Sequence, residues 1–188
     1  MKISEKKIIN AIIFFASKSQ EKRINRLKLM KLLWLSDRIH LNKFGRMILR
    51  DNYYALPNGP VPSKTMDVSK SNVEGLIEPL RYEVLAIDSS FESKYFSKSD
   101  LEIMEYVWEK YGGYDQFELR DLSHNFPEWM RYEKELKCST MPSSYPMIID
   151  DFFALPSERV DYEHDLEASK QSLMRYHSYS AIQSYLTK

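Results

Sequence analysis

The sequence predicts a mainly α-helical protein with a small β-hairpin or short antiparallel strands and a C-terminal helix. Apolar residues recur at helical spacing in several segments, of which "IINAIIFFA" and "LKLMKLLWLSDRIHL" are the clearest. Only short stretches such as "RYEVLAI" alternate in the manner of strands. A hydrophobic content of 43% over 188 residues is enough for a sizeable core, so we expect the chain to fold alone.

The first two helices are the best defined elements. Ile8, Ile12 and Phe15 recur at helical spacing and predict a half-buried helix that begins near residue 4. A second helix follows through "RLKLMKLLWLSDRIHLNKF". Asn25 is a favoured N-cap residue for it, and Gly45 permits the left-handed backbone at which many helices end.

The second helix also carries basic residues away from its apolar stripe. Lys28, Lys31 and Arg38 lie between the leucines, so the helix is expected to have one buried face and one basic face. We expect these three side chains to bind a partner, because charge complementarity tunes the association rate and the specificity of protein binding.

Residues 53–63, "YYALPNGPVPS", follow as a short extended aromatic segment and a stiff loop. A loop that cradles phosphate needs several free N–H groups, and three of these positions are prolines, which have none. The single PxxP spacing leaves docking in an aromatic groove as an alternative. We expect Gly59, Pro60 and Pro62 to form a rigid corner, because proline fixes its own torsion angles and restricts the preceding residue.

Short strands and further helices follow in order. "RYEVLAI" and "FESKYF" flank "DSS" and predict a hairpin between residues 81–87 and 91–96. Helices are predicted through "DLEIMEYVWEKY", through "YDQFELRDLSH" and through "PEWMRYEKEL", in which Pro127 suits the first helical turn.

The composition changes after residue 155. Residues 1–155 are expected to form one compact domain, and residues 156–188 are expected to form a polar C-terminal helical extension. Its apolar points, such as Leu166, Leu173 and Ile182, are sparse, which favours a helix that a partner completes. The candidate anchors for that partner are Tyr176, Tyr179 and Tyr185.

The formal charge is balanced overall but not along the chain. Residues 1–50 contain 13 Lys and Arg against 3 Asp and Glu, so of the 27 of each in the chain, residues 51–188 contain 14 against 24. The basic helices bind nucleic acid, or they form the docking surface for an acidic partner, or they pack beside acidic helices that partly neutralise them. The third interpretation is favoured, because sequence halves are not spatial halves in a compact domain.

Composition also excludes several classes of protein. There is no run of 18 or more apolar residues and no targeting signal, so we expect no membrane association. Cys138 is the single cysteine, which excludes an intramolecular disulfide and fits a reducing cytoplasm. Histidines, Cys138 and carboxylates show no metal-ligand spacing, and no cofactor motif occurs, so neither a metal nor a cofactor is expected.

Two histidine-containing motifs are candidates for chemistry. Asp37 and His40, three residues apart on one helix, would suit an acid/base pair if they faced one another. No nucleophile accompanies them, so we expect no enzyme and interpret His40 as a link between the helix and a neighbouring loop. His124, in "LSHNFPEW", is expected to cap a helix end and to pack near Trp129.

Taken together, "LKLMKLLWLSDRIHLNKFGR", "DNYYALPNGPVPS" and "YGGYDQFELRDLSHNFPEW" resemble the Panacea domain, the family of SocA-like antitoxins and phage-associated GepA-like proteins. The ordered set of short motifs covers about residues 5–155, and residues 156–188 fall outside it. Pro57, before the Asn-Gly pair, departs from the pattern. The residues that carry the structural signature are Asp37, His40, Gly59, Pro60, Pro62, His124 and Trp129.

The resemblance implies a mostly helical antitoxin that binds and neutralises a protein toxin, encoded by an adjacent gene. It also implies a protease as a further partner, because at least one similar protein delivers its toxin to one. The residues themselves leave two alternatives open: a nucleic-acid-binding regulator that uses the basic N-terminal helices, and an enzyme that uses Asp37 and His40.

Overall fold

The computed structural model describes residues 2–87, 91–157, 162 and 165–186. Within these ranges the chain forms eight helices and two small antiparallel sheets, which confirms the mainly α-helical fold with a C-terminal helix. The helices are α1 (Ile3–Ser17), α2 (Arg26–Phe44), α3 (Ser63–Ser69), α4 (Lys98–Tyr111), α5 (Gln116–Ser123), α6 (Pro127–Met130), α7 (Glu133–Leu136) and α8 (Leu166–Leu186).

Each sheet has three strands and joins distant parts of the chain. The first has the order β1-β5-β4 and the second the order β3-β2-β6. The strands are β1 (Arg23–Asn25), β2 (Tyr53–Leu56), β3 (Gly59–Pro62), β4 (Ile77–Pro79), β5 (Glu83–Ala86) and β6 (Tyr145–Pro146).

Helix α2 is the centre of the fold and is buried on every side. All residues from Leu29 to Asn42 are buried, because α4, α5, α8 and β3 pack around the helix. The Asn25 side chain accepts the N–H of Leu27 at 2.9 Å, and Gly45 ends the helix with a φ of 71°. Both helix ends are therefore where the sequence predicts them.

The predicted rigid corner is a tight β-hairpin. Strands β2 and β3 pair from Tyr53, opposite Pro62, to Leu56, opposite Gly59, which leaves a two-residue turn. Gly59 has a φ of 93°, a conformation that other residues rarely adopt. Strand β3 lies at the edge of its sheet, where the missing N–H of proline is tolerated, and α2 packs against it.

The hairpin predicted between residues 81–87 and 91–96 is wrong in its pairing. Strand β5 lies between β4 and β1, whereas residues Ser93–Tyr95 form a 3₁₀ turn. Phe91 instead packs against Phe14 of α1 and against Phe96, with ring centres 5.5 Å apart in both pairs. Burial of these rings against α1 outweighs the pairing that the alternating pattern favoured.

Helix α8 packs on the rest of the fold through two buried serines and through partly buried Leu173 and Tyr176. Ser169 and Ser172 are buried and Tyr176 is partly buried, and this i, i+3, i+7 spacing defines one face of the helix. Leu166 and Ile182 are 51% and 57% exposed. Of the apolar points in the sequence, Leu173 packs against the core, and the buried serines complete the contact stripe.

Candidate partner-binding groove and the buried signature residues

The predicted basic face of α2 is not at the surface, which corrects the expectation that Lys31 and Arg38 meet a partner there. Both side chains are fully buried. Lys31 Nζ donates to the Pro60 carbonyl at 2.7 Å, and burial holds the pKa of Lys31 well below its usual value. The β2–β3 hairpin covers the side of α2 that helical periodicity assigned to solvent.

Arg38 forms a buried ion pair with Glu128 of α6. Its Nε donates to Glu128 Oε1 at 2.9 Å, and its Nη2 donates to the Ala154 carbonyl at 2.6 Å. The guanidinium lies 4.6 Å from the ring centre of Phe126 and 4.9 Å from that of Tyr162. Burial opposes ionisation, but Glu128 and Tyr162 together leave the pKa of Arg38 above its usual value. Arg38 therefore links α2, α6 and the segment that precedes α8.

Lys28 is the one member of the predicted basic trio that is not buried. Its Nζ donates to the Gly112 carbonyl at 2.6 Å and lies 5.6 Å from the ring centre of Trp108. Burial lowers the pKa of Lys28, while Asp115 and Glu118 act in the opposite direction. The Lys28 charge is engaged at the end of α4, and its role towards a partner stays a prediction.

Several basic side chains of the first 50 residues are paired with acidic side chains further along the chain. The Asp100 carboxylate of α4 forms ion pairs with Lys7 Nζ at 2.8 Å and with Arg46 Nη2 at 2.7 Å. Lys18 pairs with Glu105 at 2.7 Å. These pairs support the interpretation that the basic helices pack beside acidic ones and are neutralised there.

Asp37 and His40 have separate partners. The Asp37 carboxylate accepts two backbone N–H groups of the loop after α2, at 2.6 and 2.9 Å, and the Tyr53 hydroxyl at 2.9 Å. Burial raises the pKa of Asp37 to about 6, although these hydrogen bonds act against the rise. His40 Nδ1 donates to the Arg46 carbonyl at 2.8 Å. His40 thus ties the end of α2 to the following loop, as predicted.

The other signature residues form strand β3 of the hairpin or, like His124 and Trp129, pack beneath it. A Cβ on Gly59 would lie 2.3 Å from Ser123 Oγ and 2.9 Å from Lys31 Nζ, so glycine permits the close approach of the hairpin to α2 and α5. His124 follows α5 and stacks on Trp129 with ring centres 3.6 Å apart, as predicted. Burial, followed by the charge of Lys31, lowers the pKa of His124 to about 4.

A surface groove of about 610 Å³ lies between α8 and the loop that joins α2 to β2. This volume is within the range that small-molecule sites occupy. The groove brings together side chains from three separate parts of the chain. They include Met47, Arg50, Tyr54, Met147, Tyr176 and Tyr179.

The predicted tyrosine anchors differ in how accessible they are. Tyr179 is 50% exposed, and the Arg50 guanidinium lies 5.7 Å from its ring centre. Tyr176 is partly buried against Phe153, with ring centres 6.1 Å apart. The side chain of Tyr185 lies outside the described residues. Tyr179 is therefore the better placed of the two to meet an incoming protein.

Arg50 is a groove residue that sequence reasoning missed. Its φ is 54°, in the left-handed region that is uncommon for residues other than glycine. Its neighbours hold it there, because Leu49 donates its N–H to Asp37 at 2.9 Å and the Asp51 carboxylate accepts the N–H of Thr65 at 2.8 Å. The local sequence carries no mark of this conformation, since it depends on partners in α2 and α3.

Across the described residues, no helix combines the length and apolar character that crossing a membrane requires. The family described as "Antitoxin SocA-like, Panacea domain" matches residues 29–130. No curated protein and no solved structure matches the chain. The matched range runs from α2 to the end of α6 and includes every signature residue, whereas β6 and α8 lie outside it.

Proposed function

The chain belongs to the family of SocA-like antitoxins with a Panacea domain, and on that premise we propose that it neutralises a cognate protein toxin by binding it directly. The observation that most supports direct binding is the groove beside α8, which exposes Tyr179 and Arg50. Aromatic residues and arginine dominate the binding energy of protein interfaces. We expect the toxin to be the product of an adjacent gene and the complex to form in the cytoplasm.

The buried signature residues support the proposal indirectly, because they fix the loop that forms one wall of the groove. Asp37 holds two N–H groups of that loop, and His40 holds the Arg46 carbonyl. A wall that is already ordered loses little conformational entropy when a partner binds. The proposal therefore assigns the signature residues to the scaffold and the groove residues to the contact.

The test is co-expression with the product of the adjacent gene, followed by co-purification and measurement of affinity. Tyr179→Ala should weaken binding by about 30-fold, the equivalent of about 2 kcal/mol for a good aromatic anchor, and should reduce rescue of growth. Tyr82→Ala is the matched control: Tyr82 is 63% exposed and has Arg81 4.9 Å from its ring centre, outside the groove. Equal binding by both variants would remove Tyr179 from the interface.

We also propose that neutralisation is stoichiometric and involves no catalysis by this chain. Titration of a fixed amount of toxin should then reach full neutralisation at a fixed molar ratio, and excess toxin should stay active indefinitely. Full inactivation of toxin by a small fraction of an equivalent would contradict this and would return attention to Asp37 and His40.

The same strains test the adaptor role that the family resemblance implies. If the chain delivers its toxin to a protease, the half-life of the toxin after translation is stopped should be shorter in the presence of the antitoxin. An unchanged half-life together with full neutralisation would leave direct binding as the whole mechanism.

Nucleic-acid binding has less support from the described residues. Of the three basic residues predicted on α2, Lys31 and Arg38 are buried and Lys28 is bound to a carbonyl. Strong non-specific binding needs a track of lysines and arginines along several phosphates. Binding of duplex DNA at low salt by the purified chain would nevertheless revive this alternative.

A further inference from the structure

We propose that the groove beside α8 receives an acidic segment of the protein partner, with a carboxylate on Arg50 and a neighbouring apolar side chain on the floor of the groove. This inference rests on the proposed antitoxin function and specifies which chemistry the partner must present. It follows from the charge, the lining and the backbone of the groove.

Two arginines and one aspartate line the groove, and the nearby Asp150 lies 3.2 Å from His177 of α8. Within the described part of the chain, the ring of Tyr179 is the one contact that the structure gives the Arg50 guanidinium. Arg175 of α8 is exposed beside Gly45, another lining residue. Arg46 already shares Asp100 with other basic side chains. An acidic group in the groove would meet these cations without displacing a strong existing pair at Arg50.

The lining carboxylate does not offset this charge. Asp51 is 7% exposed and turns inward, where its oxygens accept the N–H groups of Lys64 and Thr65 at 3.0 and 2.8 Å and the Thr65 hydroxyl at 2.7 Å. Because those hydrogen bonds cap the start of α3, Asp51 is committed to the fold. Asp51 is therefore not free to pair with a cationic segment.

The lining also contains the apolar surface that a peptide side chain needs. Met47 and Met147 are almost fully buried at the base of the groove, and Tyr176 and Tyr179 form the wall on the α8 side. Methionine and tyrosine together give an adaptable apolar floor and a rigid amphipathic wall. A segment with an apolar side chain next to an aspartate or glutamate would place the apolar side chain on this floor and the carboxylate on Arg50.

The backbone of Arg50 supports the same assignment. A non-glycine residue at a φ of 54° has a strained backbone, and such strain clusters at binding sites. The fold holds Arg50 in this conformation from both sides, and the guanidinium consequently lies over Tyr179 at the groove. The strained backbone thus presents a charged side chain where a partner can reach it.

A protein segment fits this site better than a nucleic acid does. The groove is a single depression of about 610 Å³, and the cations beside it are few. Nucleic acids are bound by many phosphate contacts along an extended track. A short peptide needs one charge contact and one or two filled pockets, which is what the groove provides.

The experiment uses the full-length chain and the product of the adjacent gene, first intact and then as overlapping 15-residue peptides. Arg50→Glu should weaken binding at least about tenfold, and Arg50→Asn should weaken it by a smaller factor. In both variants the affinity should depend less steeply on salt than it does in the unaltered chain. Asparagine tolerates the left-handed backbone, so Arg50→Asn removes the charge and keeps the loop. Arg81→Glu, which reverses an exposed arginine beside Tyr82, is the control and should bind normally.

The binding peptide should contain Asp or Glu. Replacement of that acidic residue by Lys should restore the affinity of the peptide for Arg50→Glu. If the unaltered chain captures the toxin but the Arg50 variants bind equally well, or if the binding peptide lacks acidic residues, this inference fails and the antitoxin function stands. If the unaltered chain captures nothing, the proposed function and the inference both fail. Binding of a duplex DNA that is lost in Arg50→Glu would overturn the assignment to a protein segment.

Discussion

Helices α2 and α8 use polar residues in opposite ways. Helix α2 buries every side chain from Leu29 to Asn42, including charged ones, and each charge has a defined partner within the fold. Helix α8 contacts the fold through Ser169, Ser172 and their neighbours and leaves Tyr179 half exposed. Helix α2 organises the interior of the fold, and helix α8 lies at its surface.

This difference separates the part of the chain that the family match covers from α8, which we propose faces a partner. The family match covers α2 and the hairpin packed on it but does not reach α8. A buried polar network fixes one geometry, because each of its members is costly to leave unpaired. A helix held by a narrow contact stripe leaves most of its surface for contacts of its own.

The largest loss of stability is expected from Glu128→Ala. The change leaves the Arg38 guanidinium buried without its carboxylate, and removal of one partner from a buried ion pair costs about 3 to 5 kcal/mol. It also removes the acceptor of the Trp34 indole N–H, 3.1 Å away. Urea unfolding followed by circular dichroism measures the loss of free energy.

Glu128→Gln is the control for this prediction. The glutamine amide has the same shape as the carboxylate and keeps an oxygen that accepts the Trp34 N–H. The variant should therefore lose roughly 1 to 2 kcal/mol of stability, because a charge-assisted hydrogen bond to Arg38 becomes a weaker one with a neutral acceptor. Equal losses for the two variants would show that the charge of Glu128 does not stabilise Arg38.

Gly59→Ala comes next, at about 2 to 4 kcal/mol. A Cβ would lie 2.3 Å from Ser123 Oγ, and the φ of 93° is unfavourable for alanine, so overpacking and backbone strain add together. Gly75→Ala isolates the strain, because Gly75 has a φ of 74° and open space around it. Gly113→Ala, with open space and no positive φ, should be nearly neutral. A neutral Gly59→Ala would contradict the close approach of the hairpin to α5.

Local signals in the sequence were sufficient for the helix ends but not for the surroundings of the helices. Asn25 and Gly45 act through bonds within their own helix, so their roles can be predicted from neighbouring letters. Lys31 and Arg38 were predicted to form a basic face, because an argument from periodicity treats one face of a helix as exposed to solvent. Arg38 meets Ala154, 116 positions away, and no local pattern encodes such a contact.

The candidate site was predictable in the same uneven way. Tyr176 and Tyr179 stood out because they are aromatic residues on a polar helix, and both line the groove. Arg50 did not stand out, since its conformation depends on Asp37 and Asp51, whose partners lie in other elements. Tertiary contacts determine the conformation of residues at the ends of elements, and the sequence pattern alone does not reveal that conformation.

A pH dependence of about 1 to 2 kcal/mol is expected from His124. Its pKa in the fold is about 4, below the unfolded value of 6.5, so the fold favours the neutral ring. The stabilisation is complete above pH 6.5 and is lost as the pH falls through 4. The ring is partly exposed, and solvent screening reduces the effect below what the full shift would give.

His124→Phe isolates this effect, because phenylalanine keeps an aromatic ring against Trp129 and does not titrate. Between pH 7 and pH 4.5 the original protein should lose more free energy of unfolding than the variant. Asp37, with a pKa of about 6, titrates in the same window with the opposite sign but is present in both proteins, so it cancels in the difference. Parallel pH profiles would contradict the neutral state of His124 in the fold.

The smallest effect is expected where α8 joins α2, from Ser169→Ala. The Ser169 hydroxyl donates to Asn42 Oδ1 at 2.6 Å in a buried contact, and loss of such a bond costs about 1 kcal/mol. Ser178→Ala is the control on the same helix, because that hydroxyl is exposed and bonds to the Met174 carbonyl within α8. Hydrogen exchange should show faster opening of α8 in Ser169→Ala with α2 unchanged, because the two helices belong to regions of different local stability. Equal acceleration in both helices would show instead that α8 is part of the same cooperative unit as the interior.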